Sequence, residues 1–299
     1  MQHTRIAGVE LQSRDIELLR GLIDSRFYTI THAADIHFDG KREMAKKRIQ
    51  KLAAAGLILM RPGLVGRAAA VTASQRAVRL LHSRGEIGRR PVPRSGVSDA
   101  LIAHDCAVID AKAAFIRAAR RDTTIAVTAF DVSSRPIIAS RPSYGAIRPR
   151  LRPDAFVELS TVDGTQFHFF VEVDRSTEPI HVVSSKIAAY RAFLRNGGFA
   201  RLRGAPTQQH RQHPFRVLII CKSVERRNLL ARALFESAAR VRTFALLSEA
   251  TDAHANPFGH AWLAPADAST APSRFRCLVG AHEVSPPTAH EKATPEGVA

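Results

Sequence analysis

The chain has 299 residues, enough for two domains of ordinary size, and at 45% hydrophobic and 24% charged its composition is globular. Its 44 Lys and Arg stand against 27 Asp and Glu, so a net charge of +17 and a pI near 11.0 point to a polyanionic partner, nucleic acid first. No apolar run approaches the roughly 20 residues a bilayer span needs, and no signal-peptide core opens the chain. Cys106, Cys221 and Cys277 are too scattered for a disulfide framework or a zinc knuckle, so a cytoplasmic protein with no membrane partner is expected.

Residues 10–83 read as a small helical DNA-binding unit. Ser13 is placed to cap a helix whose apolar positions Ile16, Leu19, Leu22 and Ile23 fall at helical spacing. Thr31 caps a second, short helix with Ala34 and Ile36, and Asp39-Gly40 turns the chain. The third helix, Lys41 to Ala55, has an inner stripe of Ala45, Ile49 and Leu52 and ends at Gly56. Arg42, Lys46, Lys47, Gln50 and Lys51 crowd its remaining surface. Leu57 to Met60, a Pro62-Gly63 turn and Ala68 to Val71 suit a two-stranded wing tipped by Arg61 and Arg67, with a closing helix over 72–82. Helix, helix, basic helix and wing is the layout of a winged helix-turn-helix, whose third helix enters the major groove. A helical bundle with a solvated cationic face is the plain alternative. Charge distribution favours DNA, because residues 1–95 hold 18 Lys and Arg against 8 acids.

Residues 84–98, broken by Gly and Pro, are the expected linker, and 99–265 the second domain. A helix from about Ser98 to Arg121 leads to a strand at Ile125 to Phe130. A basic, proline-broken segment follows, with Arg135, Arg141, Arg148, Arg150 and Arg152 around Tyr144; it suits a nucleic-acid backbone with a stacked base, or equally a surface loop. Later come a hairpin, a helix carrying Lys186 and ended by Gly197-Gly198, and a loop rich in Gln, His and Arg. A strand at Phe215 to Cys221, a helix at Val224 to Ala238, a strand at Val241 to Leu247 and a short strand near Trp262 complete the domain. Helices interleaved with such strands imply a mixed sheet covered on its faces, an α/β domain in a chain that is α+β overall. Residues 266–299, rich in Pro, Ala, Ser and Thr, read as a disordered tail.

The hairpin carries the chemistry. Two strands of nearly continuous Phe and Val contain acids, which are costly in a sheet interior unless something neutralises them. Asp154 opens the first strand, and Glu172 and Asp174 share one face of the second. Together they form an oxygen cluster suited to Mg²⁺ or Mn²⁺, with Asp105 as an outer acid. Pairing with Arg152, Arg175 and Lys186 in an ion network would satisfy the same acids without metal. His210 and His213 lack a third zinc ligand, and no Gly-rich phosphate loop is present.

The order of elements, with Pro153-Asp154 at one strand and Glu172-Val173-Asp174 at the next, is similar to the PD-(D/E)XK nuclease fold. More narrowly, the chain resembles the replication-relaxation family of plasmid and mobile-element proteins. The N-terminal winged helix, His104-Asp105 opening a helix, Arg152-Pro153-Asp154-Ala155, Glu172 to Glu178, and Lys186 four residues before Tyr190 carry that resemblance, over roughly 13–265. It implies replication or C-class mobilisation at an origin, with other replication or mobilisation proteins as partners. It also implies a metal-dependent nick made by Asp154 and Glu172, supported by Asp174. The nuclease pattern has a lysine where Asp174 stands, and Lys186 on the next helix is the substitute cation. A non-catalytic DNA-binding factor, or a transcriptional regulator on a nuclease-like scaffold, is the alternative function.

Overall fold

The computed structural model describes residues 5–6, 8–61, 69–88, 98–132, 137–138, 150–237, 241–268 and 274–279. The N-terminal part opens with a short ladder, β1 (Arg5–Ile6) and β2 (Val9–Glu10), then α1 (Ser13–Ser25), β3 (Tyr28–Thr29), α2 (Ile30–His37) and α3 (Arg42–Ala54). β4 (Ile58–Arg61), β5 (Ala70–Ala73) and α4 (Gln75–Ser83) complete it, with the three strands ordered β3-β5-β4. Leu18, Leu19, Leu22, Tyr28, Ile49, Leu52 and Val71 fill one core, as the helical spacing requires.

Several ends differ from the sequence reading, for local reasons. Gln12 precedes α1 as its cap, because Asp15 accepts the Gln12 amide at 2.7 Å and anchors Arg48 of α3 at 2.8 Å. Thr29, not Thr31, caps α2: its hydroxyl accepts the His32 amide and the His32 ring accepts the Thr29 amide, both at 3.1 Å. Strand pairing with β4 carries β5 through Ala73, so α4 starts only after Ser74, which caps it. Pro62-Gly63 and Arg67 lie outside the described residues, as does most of the 84–98 linker.

The long helix α5 (Asp99–Arg121) is capped by Ser98 and followed by β6 (Ile125–Asp131), the small pair β7 (Ile137–Ile138) and β8 (Arg150–Leu151), and the hairpin β9 (Ala155–Thr161) and β10 (Gln166–Asp174). Next come α6 (Ile180–Arg195), α7 (Gly198–Leu202), a 3-10 turn over Thr207–Gln212, β11 (Arg216–Cys221), α8 (Val224–Glu236), β12 (Ala245–Glu249) and α9 (Ala250–Ala255). β13 (Trp262–Leu263), a 3-10 turn over Pro265–Asp267 and β14 (Phe275–Arg276) end the described chain. Most of the basic segment 135–152, including Tyr144, lies outside the described residues.

The seven-stranded sheet runs β14-β13-β12-β11-β10-β9-β6, with β10, β11 and β12 parallel and the outer pairs antiparallel. Both faces are covered, which is why these strands read as continuous apolar runs. Phe169 and Val171 of β10 face α5 with Phe115 and Trp262, while Phe170 faces α6 with Ile187, Tyr190 and Phe215. Register corrects the expected Val241–Leu247 strand, because β12 pairs Ala245 with Val217 and runs to Glu249. The expected tail is folded in part. β14 pairs with β13, Asp267 holds Arg276 at 2.7 Å, and Leu278 is buried.

Candidate functional site

Asp154 sits at the mouth of the hairpin, where the ladder between β9 and β10 ends. Its amide donates to the Val171 carbonyl at 3.1 Å, and its Oδ2 accepts the Val173 amide at 2.8 Å. Oδ1 lies 3.0 Å from Nε2 of His104 on α5, and this hydrogen bond is the main reason the His104 pKa is raised. Backbone on one side and an imidazole on the other therefore fix the carboxylate.

Glu172 lies further along β10 and is 6% exposed. Lys186 reaches its Oε2 and the Tyr190 hydroxyl donates to its Oε1. The two helical residues are four apart on α6, so one face of that helix delivers both. Burial first, and the nearby Asp154 second, push the Glu172 pKa up to about 8, although Lys186 and Tyr190 pull it down. Burial works against the Lys186 charge, but Glu172 and then Asp154 outweigh it and raise the Lys186 pKa. Tyr190 stacks on Phe170 with ring centroids 5.3 Å apart, and burial drives its hydroxyl pKa upward. Asp154, Glu172 and Lys186 thus form one electrostatic group.

The other two expected acids are each held by an arginine, although Asp105 also lies within electrostatic reach of Asp154 and His104. Asp174 shares the Glu172 face, but it meets a different helix. Arg226 of α8 holds it at 2.6 and 3.3 Å, and the Ser176 amide donates to it at 3.0 Å. Asp105 is tied to Arg26 of the N-terminal part at 2.9 Å, leaving Oδ2 buried without a partner. Burial raises its pKa to about 6. Neither arginine-held carboxylate is placed as a ligand beside Glu172. Arg152 is exposed, and Arg175 turns away to the Ala100 carbonyl at 3.0 Å, so of the cations expected in an ion network only Lys186 reaches this group.

Among the described residues no group of three or more His, Cys, Asp or Glu forms a metal cage. Magnesium does not need one, since it is commonly held by one or two carboxylates with water and phosphate oxygens. Asp154, just before β9, and Glu172 on β10 are the two carboxylates that could hold such an ion. Their mutual repulsion, with Glu172 raised to about 8 beside a lysine, is what a bound dication would relieve. A concavity of about 560 Å³ at the end of α5 and β6 lies elsewhere and contains none of them.

In the N-terminal part, Arg42, Lys46, Lys47, Gln50 and Lys51 are all exposed on α3, and among the described residues the four cations make no ion pair. Arg48, which looks equivalent in sequence, instead turns inward to Asp15. Arg61 at the end of β4 lies over the Phe27 ring, 5.5 Å from its centroid. Met44, Leu59 and Met60 are exposed beside these cations.

The family profile described as replication-relaxation matches residues 19–208, which is 190 of the 299 residues. The chain belongs to the replication-relaxation family. The match takes in most of the N-terminal part, α5, the carboxylate hairpin and α6, so every residue of the Asp154, Glu172 and Lys186 group lies inside the family region. No curated protein and no solved structure matches the chain. No helix among the described residues is long and apolar enough to cross a membrane. A role connected with replication or mobilisation follows from the family.

Proposed function

We propose that this replication-relaxation protein grips duplex DNA with a winged helix-turn-helix over residues 13–83 and cuts one phosphodiester at a PD-(D/E)XK-like centre. The DNA would be an origin on a plasmid or mobile element. The observation that carries this reading is the meeting of Lys186 from α6 with Glu172 of β10, and Asp154 within electrostatic reach of both. The order of α5, β6, β9, β10, α6 and β11, with β9 antiparallel and β11 parallel to β10, supports it. So does the unpaired cationic surface of α3.

Asp154 and Glu172 would hold a Mg²⁺ or Mn²⁺, which when bound would polarise a phosphate oxygen and lower the pKa of a water. Lys186 gives fixed positive charge for the phosphate as it gains charge, replacing the lysine that Asp174 displaces. His104 holds Asp154 by one oxygen, and Tyr190 holds Glu172 by one. Supercoiled DNA carrying the element's origin, incubated with Mg²⁺ or Mn²⁺, should be nicked by wild type and not by Asp154→Ala or Glu172→Ala. Plasmid left intact by wild type would overturn cleavage.

A second reading rests on a specific observation: both Glu172 oxygens already have protein partners, and Asp174 is held by Arg226. It makes the protein a non-catalytic replication or mobilisation factor, or a transcriptional regulator, that keeps the scaffold to hold DNA. In that case DNA binding survives while the plasmid stays supercoiled.

A further inference from the structure

From Pro179 to Val224 the chain contains no Asp or Glu but 8 Lys and Arg, the longest departure from its mixed charge pattern. The residues concerned build α6, α7, the 3-10 turn at Thr207–Gln212 and β11. Their inner side is apolar and fixed: Phe193, Phe199, Ala200 and Phe215 are buried. Gly197, at φ +66°, packs so closely that an added Cβ would lie 2.4 Å from the Thr207 carbonyl oxygen. That approach clamps α7 to the 3-10 turn. Arg195, Arg201 and Arg211 are exposed on the outer side of this rigid lobe.

Elsewhere long cations are commonly neutralised, as Arg48 is by Asp15, Arg117 by Asp35 and Arg226 by Asp174. Among the described residues, Arg195, Arg201 and Arg211 make no ion pair, and Arg203 beside them is taken by Glu158 at 2.9 Å. Three uncompensated arginines on one stiff lobe repel each other, and a phosphate backbone relieves that repulsion. The lobe exposes no Phe, Tyr or Trp, so it lacks the stacking platform that single-stranded nucleic acid uses. Leu202 and the polar Asn196, Gln208, Gln209 and Gln212 are also exposed there. It lies over the Glu158 and His168 pair, four residues along β10 from Glu172 and therefore about 13 Å away at strand rise.

We infer that this lobe is a second DNA surface, separate from α3, which holds the duplex backbone without reading sequence, beside the Asp154, Glu172 and Lys186 centre. The inference rests on the DNA-binding reading above and extends it to the core domain. Its test is a salt titration of the full chain against a duplex of about 30 base pairs, followed by fluorescence anisotropy. Each phosphate contact contributes about 0.9 to the slope of log K against log[salt]. The triple variant Arg195→Ala, Arg201→Ala, Arg211→Ala should lower that slope by about 2 to 3, while the corresponding Arg→Lys variant keeps it. Equal loss from a scrambled and an origin duplex is expected. An unchanged slope in the alanine variant overturns the second surface, and if the α3 variant still loses affinity the winged-helix reading stands. No binding by wild type overturns both. Selective loss of single-strand or RNA-duplex affinity, with DNA-duplex affinity intact, overturns the assignment to duplex DNA.

Discussion

Glu172→Gln tests the electrostatics of the centre without reference to catalysis. A carboxyl whose pKa rises from its ordinary 4.5 to about 8 on folding holds a proton in the native state that the unfolded chain has already released. Between those values the folded protein binds more protons, so stability falls as pH rises, and the cost is complete only above pH 8. At about 1.4 kcal/mol per pKa unit, the difference between pH 5 and pH 8.5 is about 4 kcal/mol. Each kcal/mol of it moves Tm by about 2–4 °C in a chain of this size. Thermal melts in EDTA should therefore show Glu172→Gln gaining on wild type as pH is raised from 5 to 8.5. Added Mg²⁺ should lift wild type at pH 8.5 and leave the variant unmoved. A variant that loses ground at pH 8.5 relative to pH 5 would mean that Lys186 and Tyr190 more than compensate the buried charge, and the case for a dication would fall with it.

Three further outcomes are expected. Arg42→Ala, Lys46→Ala, Lys47→Ala should weaken duplex binding and flatten its salt dependence by about 2 to 3 in log-log slope; an unchanged titration would remove α3 from the interface. Gly197→Ala should cost at least about 2 kcal/mol in urea unfolding, since left-handed backbone alone costs about 1 kcal/mol and the added Cβ meets Thr207. His37 has its pKa lowered to about 3 by burial and by Lys112, Arg120 and Arg14, so the native state resists protonating it. Stability it contributes is complete above about pH 6.5 and is lost at up to about 1.4 kcal/mol per pH unit towards pH 3. His37→Gln should flatten that acid limb in pH-dependent melts.

The legible parts of this chain were those where an energetic penalty shows locally. Acids in and beside apolar strands demand a neutralising partner, so Asp154 and Glu172 stand out before any coordinates, whereas Lys186 enters through the family resemblance. What escaped was the choice among partners. Glu172 and Asp174 share a face by strand period, yet α6 meets the first and α8 the second, because parallel β11 carries α8 to the strand end. Only tertiary placement decides that split. His104 was visible as a landmark, but its role lies with a carboxylate 50 residues away. Arg48 reads as one more cation on a basic helix until Asp15, 33 residues earlier, draws it inward. The α7 and 3-10 segment is too short to show a period, so it read as a loop.

The two parts of the chain pack on one another through α5. α5 serves both cores: Ile109 is buried with the N-terminal helices, while Val108 and Phe115 are buried against the sheet. The adjacent residues His104 and Asp105 divide in the same way. His104 turns to Asp154, and Asp105 turns to Arg26, which sits at φ +66° at the end of α1. A non-glycine residue in that region is strained and persists where its surroundings hold it. His32 to Asp110 at 2.8 Å and Arg117 to Asp35 at 2.6 Å add further ties along the same helix. A rigid helix with ion pairs on one side and the Asp154 carboxylate on the other fixes how the basic helix α3 is presented relative to the centre. If the proposed function holds, the distance between the DNA-binding helix and the carboxylate centre is set by α5.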